Sequence, residues 1–177
     1  MIVTVVLSLT GCIAFFLLIL GVTVTLPSPR LISFFPEDVQ ERLRPRVENQ
    51  PMTFKRFMEW VILIAFCILY VGLLVYGASD GIKNGYSFWQ FLLRFLIIGA
   101  SMKVFDIVFF DFFILTRTRF FQHFFPETEG CKGWKDFGFN RKQQIRQCIL
   151  IPVCCLITAL ICTFCEVILC RSLSQFY

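Results

Sequence analysis

Four ionisable residues stand in a stretch that is otherwise strongly apolar. They are Arg94, Lys103, Asp106 and Asp111, within residues 88–117, FWQFLLRFLIIGASMKVFDIVFFDFFILTR. A charged side chain at the centre of a bilayer costs at least ~2.5–3.5 kcal/mol, so such residues face a bundle interior, a partner charge or water. Lys103 and Asp106 are three residues apart, share a helical face and are placed to pair. Gly99 lies one turn earlier on that face, where it permits a second helix to come close. At ~3.6 residues per turn, Asp111 is turned away from Lys103 by roughly 80°. Glu166 sits four residues from the outer end of the last apolar segment and Asp111 six residues from Arg117 in a basic loop, so these two carboxylates are expected in opposite leaflets. The chemistry that fits is a polar pathway or site for an ion, a proton or a lipid headgroup. The plainer alternative is one structural ion pair with an interfacial Asp111.

Two further sets invite chemistry. His123, Glu127, Glu129 and Cys131 are donors of metal-binding type, but their spacing matches no standard ligand motif, so no metal is expected. His123 stands among Phe120, Phe121, Phe124 and Phe125 and reads as interfacial, and Lys135 and Asp136 complete the polar candidates of this loop. Cys162-Thr-Phe-Cys165 is formally a C-x-x-C pair, the arrangement of thiol oxidoreductases. Such enzymes pass electrons to partner cysteines, and the outer loop has none. Most of the nine cysteines lie in apolar runs, where a thiol behaves as a small hydrophobe. No structural disulfide is expected.

The elements that position these residues follow from composition. The 177 residues are 57% hydrophobic and 16% charged, with 23 phenylalanines and a mean hydropathy of +0.73. Soluble domains carry nearer ~25% charge, so this chain belongs in a bilayer. The expected fold is all-α, a single membrane domain over residues 1–177 with four transmembrane helices at about 2–26, 60–77, 91–115 and 148–170. Residues 1–26 lack the basic n-region of a cleaved signal and read as a retained span ended by Pro27 and Pro29. Residues 36–43, PEDVQERL, read as a short helix with acids at its N-terminus. Residues 78–85, ASDGIKNG, read as a link.

Charge sets the orientation. Loop 27–59 holds six basic residues and loop 116–147 holds seven, against Lys83 in the intervening loop and Arg171 in the tail. By the positive-inside rule both basic loops are cytoplasmic and both termini lie outside.

The spacing Asp106-x4-Asp111-Phe112, then Pro126-x-Thr128-Glu129-Gly130 and Trp134-Lys135-Asp136-Phe137, resembles a group of small uncharacterised bacterial multi-pass membrane proteins. In these a helix bearing D-x4-D-[WF] precedes P-x-T-E-G and an aromatic-[KR]-D-aromatic segment. The resemblance runs over most of the chain after residue 33. It implies that these positions matter and implies no activity.

The favoured expectation is a transporter-like or accessory subunit of the cell membrane, with a polar site on the third helix. Its partners are the lipid bilayer and either a larger membrane protein or further copies of itself, with no nucleic acid and no cofactor. The competing class is a membrane-embedded enzyme acting on a lipid headgroup at the cytoplasmic interface. There Asp111, His123, Glu127 and Glu129 would supply acid–base chemistry. A thiol redox protein is the third reading.

Overall fold

The computed structural model describes residues 1–25, 32–48 and 54–174, and regular structure among them is entirely helical. In chain order these are α1 (Ile2–Thr25), α2 (Glu37–Glu48), α3 (Phe54–Lys83), α4 (Phe88–Phe105) with a π-helical continuation (Asp106–Arg117), α5 (Phe120–Phe124) and α6 (Arg141–Ser174). Two single 3₁₀ turns, Pro126–Thr128 and Lys132–Lys135, connect α5 to α6.

Three helices are long and apolar enough to cross a membrane: Ile2–Thr23, Phe57–Lys83 and Arg141–Ile168. Ile64, Ile68, Leu160, Ile161 and Phe164 point outward and are exposed. Water would penalise such a surface, whereas lipid tails match it. The chain is therefore built as a membrane protein. Helix α4 lies between α1 and α6, and α1 also packs along α3. Contact with α6 is close at Gly99, where a Cβ would come within 2.8 Å of Ile151 Cγ2.

Several helix ends differ from those read in the sequence. α3 starts at Phe54 and runs to Lys83, so most of the expected link at 78–85 belongs to its C-terminal end. The turn itself is a Schellman motif: Tyr86 N–H donates to Gly81 O and Gly85 N–H to Ile82 O, with Gly85 at φ +61°, the left-handed conformation glycine adopts without a Cβ penalty. α6 starts at Arg141 rather than 148, because RKQQIRQ is made of good helix formers and extends the apolar helix. α2 continues past residue 43, through Pro45, to Glu48. The expected stops at Pro27 and Pro29, and the loop residues around Pro51, lie outside the described residues.

The buried core falls into two clusters, one at each end. At the end where α1 finishes and α6 begins, Phe35, Val39 and Leu43 meet Phe121, Phe125 and Trp134. α2, α5 and the two 3₁₀ turns form this cap. At the opposite end Phe91, Phe95 and Ile98 pack with Leu7, Cys155, Ala159 and Cys162.

Candidate functional site

The π-helical geometry of residues 106–117 decides where the carboxylates go. In an α-helix, residues five apart point in different directions, whereas π hydrogen bonds link i to i+5. Thr118 N–H accordingly donates to Phe113 O. The five-residue spacing of Asp106 and Asp111 thus becomes a shared face, and both side chains line one cavity. The expected turn of Asp111 away from Lys103 assumed α geometry throughout, whereas the α-helix ends at Phe105; Lys103 itself is outside the lining of that cavity.

That cavity has a volume of about 430 Å³ and lies beneath the cap. Its polar lining comes from Glu59 on α3, Asp106 and Asp111 on the π segment, and Asn140, Gln143, Gln144 and Gln147 at the start of α6. Its apolar walls include Phe15, Ile19, Leu63, Phe110 and Phe121. Asp111 is 9% exposed, and its Oδ2 accepts from Asn140 Nδ2 at 3.0 Å and from the Gln144 amide. The Gln144 Oε1 atom is buried without a hydrogen-bond partner. Lys103, also 9% exposed, donates to Asp106 Oδ2 at 2.8 Å and to Gln147 Oε1.

The remaining sequence candidates go elsewhere. His123 is exposed on α5, edge-on to Phe124. Glu127 pairs with Arg46 of α2 at 2.7 Å, and exposed Glu129 lies 3.7 Å from Arg119. Lys135 is exposed, and Asp136 accepts from Gly138 N–H in a local turn. Glu166 is half-buried on α6, some 22 residues and ~33 Å along the helix from Gln144. None of these six lines the cavity. Among the described residues, no three His, Cys, Asp or Glu side chains are grouped to hold a metal. Cys162 and Cys165 are free thiols.

The loop segments singled out by pattern build the cap. Trp134 Nε1 donates to Thr128 O and Oγ1, and Thr128 Oγ1 donates in turn to Phe125 O. Gly133 N–H donates to Asp38 Oδ2 at 2.9 Å. A Cβ at Gly133 would stand 2.1 Å from Asp38 Oδ1 and 2.4 Å from Pro36 Cβ, so only glycine fits. Asp38 is thereby the bolt between α2 and the second 3₁₀ turn. Cys131, beside it, has its thiol pushed up by burial and by the Asp38 carboxylate, with Arg42 opposing.

Sequence reasoning missed Glu59, Asn140 and Gln144. Residues 140, 144 and 147 follow helical spacing and share a face, a signal present in NRKQQIRQ had the helix been started earlier. It also did not foresee the partners of Arg94, a residue singled out among the charges of the apolar stretch and 2% exposed. Arg94 pairs with Asp80 at 2.7 Å, donates to Gly77 O at 2.6 Å and to Tyr86 Oη at 2.8 Å, and lies 4.4 Å from the Tyr86 ring centroid. Comparison with family models, curated proteins and solved structures gives no match.

Proposed function

We propose that the chain is a four-span membrane protein that binds a small solute or lipid headgroup in the cavity beneath its cap, as a transporter-like or accessory subunit. The observation that carries this is the cavity itself. Three carboxylates and four amides from three separate segments converge on one space whose other walls are apolar, the composition of a ligand pocket rather than of a packing defect.

In this reading α4 with its π continuation is the fourth span, both termini face outside, and the cap lies in the cytoplasm. The basic residues of the cap and of the start of α6 support that orientation. A complete transport path needs company, because the half of the bundle beyond the cavity is filled by Phe91, Phe95 and Ile98, each at most 2% exposed. A larger membrane partner or further copies of the chain supply it. The lipid-enzyme reading draws less support, since His123, Glu127 and Glu129 stand outside the cavity.

Two experiments test this. Purification from native membranes is expected to retain a small molecule or lipid that is lost when Leu63→Phe narrows the cavity. An occupant unchanged by that substitution and by Asp111→Asn overturns the binding reading. A variant retaining only Cys131 is expected to resist an impermeant thiol reagent applied to intact cells, and labelling from outside overturns the topology.

A further inference from the structure

We infer that the lipid-facing groove between α1 and α4 seats an acyl chain of an anionic glycerophospholipid whose phosphate is held by Arg117. The groove shares no lining residue with the cap-end cavity and does not depend on it. α1 approaches α4 closely at Gly11, where a Cβ would stand 3.2 Å from Met102 Sδ. Beside that contact α4 presents the small Ala100 and Ser101, and a groove of about 890 Å³ remains. Leu9 and Ile13 of α1, and Val104 and Val108 across from them, line it and are each more than half exposed. Among the described residues no charged side chain enters the lining. Hydrocarbon matches such a surface and water does not.

An apolar groove alone accepts any chain, and Arg117 makes this one selective. Residues 106–117 turn widely, and with i→i+5 bonding the nine residues from Val108 to Arg117 make about two turns and share a face. On an α-helix they would make roughly two and a half, and Arg117 would point to the opposite side. Phe112 stands between the two, with the Arg117 guanidinium 5.2 Å from its ring centroid, a cation–π contact that positions the charge. Among the described residues no carboxylate pairs with this guanidinium, whereas Arg46 and Arg119 lie beside Glu127 and Glu129. Its planar fork fits a phosphate through two hydrogen bonds. Val108 is at most ~13 Å from Arg117 along the axis, within the ~15 Å depth of one leaflet, so a chain hung from that phosphate enters the groove.

The surroundings favour a lipid of net negative charge over a zwitterion. Phe137 packs edge-on to Phe112 at 5.9 Å and belongs to the stretch 132–146. That stretch carries Lys132, Lys135, Arg141, Lys142 and Arg146, all exposed, against one acid, Asp136, whose carboxylate accepts from Gly138 N–H. Basic groups between and beside membrane helices attract anionic headgroups in this way.

The test purifies the full chain in detergent and adds equal amounts of phosphatidylglycerol and phosphatidylcholine with identical acyl chains. Retained lipids are counted by native mass spectrometry. Phosphatidylglycerol is expected to be retained about tenfold over phosphatidylcholine, and Arg117→Gln to remove most of that preference. Val108→Trp fills the groove from an exposed position and is expected to lower retention of both lipids at an unchanged thermal midpoint. Should Arg117→Gln fail to fold, Arg117→Lys keeps the charge but loses the fork, and is expected to weaken phosphatidylglycerol several-fold. Arg44→Gln removes the same charge from exposed α2 and is expected to change nothing. A loss with Arg44→Gln as large as with Arg117→Gln, or equal retention of the two lipids, overturns the site. Retention that falls with Leu63→Phe and not with Val108→Trp belongs to the cap-end cavity and overturns the groove alone. A dimer that survives delipidation and dissociates on Val108→Trp puts a second copy of the chain in the groove and overturns the lipid.

Discussion

Arg94 and Lys103 stand on the same helix, both at least 90% buried, and they are held in opposite ways. Arg94 is clamped by Asp80, the Gly77 carbonyl, the Tyr86 hydroxyl and the Tyr86 ring, in a region packed by Phe91 and Phe95. Its planar guanidinium engages several acceptors at once, which an ammonium does not reproduce. Lys103 instead holds Asp106, and Asp106 forms part of a cavity wall. One charge seals a bundle and the other borders a space. Burial of a charge therefore does not by itself identify a site, and what the partner faces does.

Breaking the sealed end should cost most. Arg94→Leu leaves Asp80 without its cation and removes two further hydrogen bonds, an expected loss of about 3–5 kcal/mol by analogy with other buried pairs. Arg94→Lys should recover little of it, and Arg94→Leu with Asp80→Leu should be milder than Arg94→Leu alone. Folded yield in membranes and the apparent midpoint of thermal unfolding in detergent measure all three. A fully stable Arg94→Leu protein would refute the clamp.

At the other pair the expected cost is smaller. Asp106 keeps 25% side-chain exposure, so a surviving charge there is less desolvated than one beside Arg94. Lys103→Met or Asp106→Leu alone should lose about 1–3 kcal/mol, the scale of a charged hydrogen bond, and the double change less. If Lys103→Met matches Arg94→Leu in the same assay, the cap end is as sealed as the other and the contrast fails.

Gly133→Ala probes the roof of the cavity. The new methyl collides with Asp38 and Pro36, for an expected ~1–3 kcal/mol of overpacking. The damage should be confined to the cap, read as faster limited proteolysis near residues 130–140 with the spans still protected. Uniform loss of protection would show the cap and the bundle to be one cooperative unit.

The smallest effect concerns Cys131. Burial first, then Asp38, raise its thiol above the ordinary range. The folded cap thus keeps the proton to higher pH than the unfolded chain does. The associated stability is complete below the ordinary thiol pKa and is lost as pH rises through the raised value. Alkylation by iodoacetamide at pH 8 should lag a denatured control several-fold, and Asp38→Asn should narrow the lag. Equal rates in the folded and denatured states would show that the cap does not shield this thiol.

What the chain could reveal by itself was local. Long runs such as Trp60 to Gly77 are too apolar for anything but a bilayer or a large core, and the three-residue spacing of Lys103 and Asp106 allows a pair on any helix. Acids at residues 37 and 38 mark a helix start wherever that helix lies. These signals depend on neighbours within a turn or two, so they are written in consecutive residues. Packing decided the rest. Glu59, Asp111 and Asn140 come from three separate segments, and nothing in their spacing brings them together. Asp80 read as part of a link until the helix was seen to continue beneath Arg94. The Asp106-x4-Asp111 spacing acquires a common face only because the helix widens to i→i+5 bonding, a departure that periodicity at 3.6 residues cannot register. The P-x-T-E-G and W-K-D-F segments, which looked like chemistry, became the framework of the cap once Thr128, Gly133 and Trp134 found their partners. A site assembled from distant segments is fixed by how helices cross and turn, and that geometry belongs to the tertiary structure.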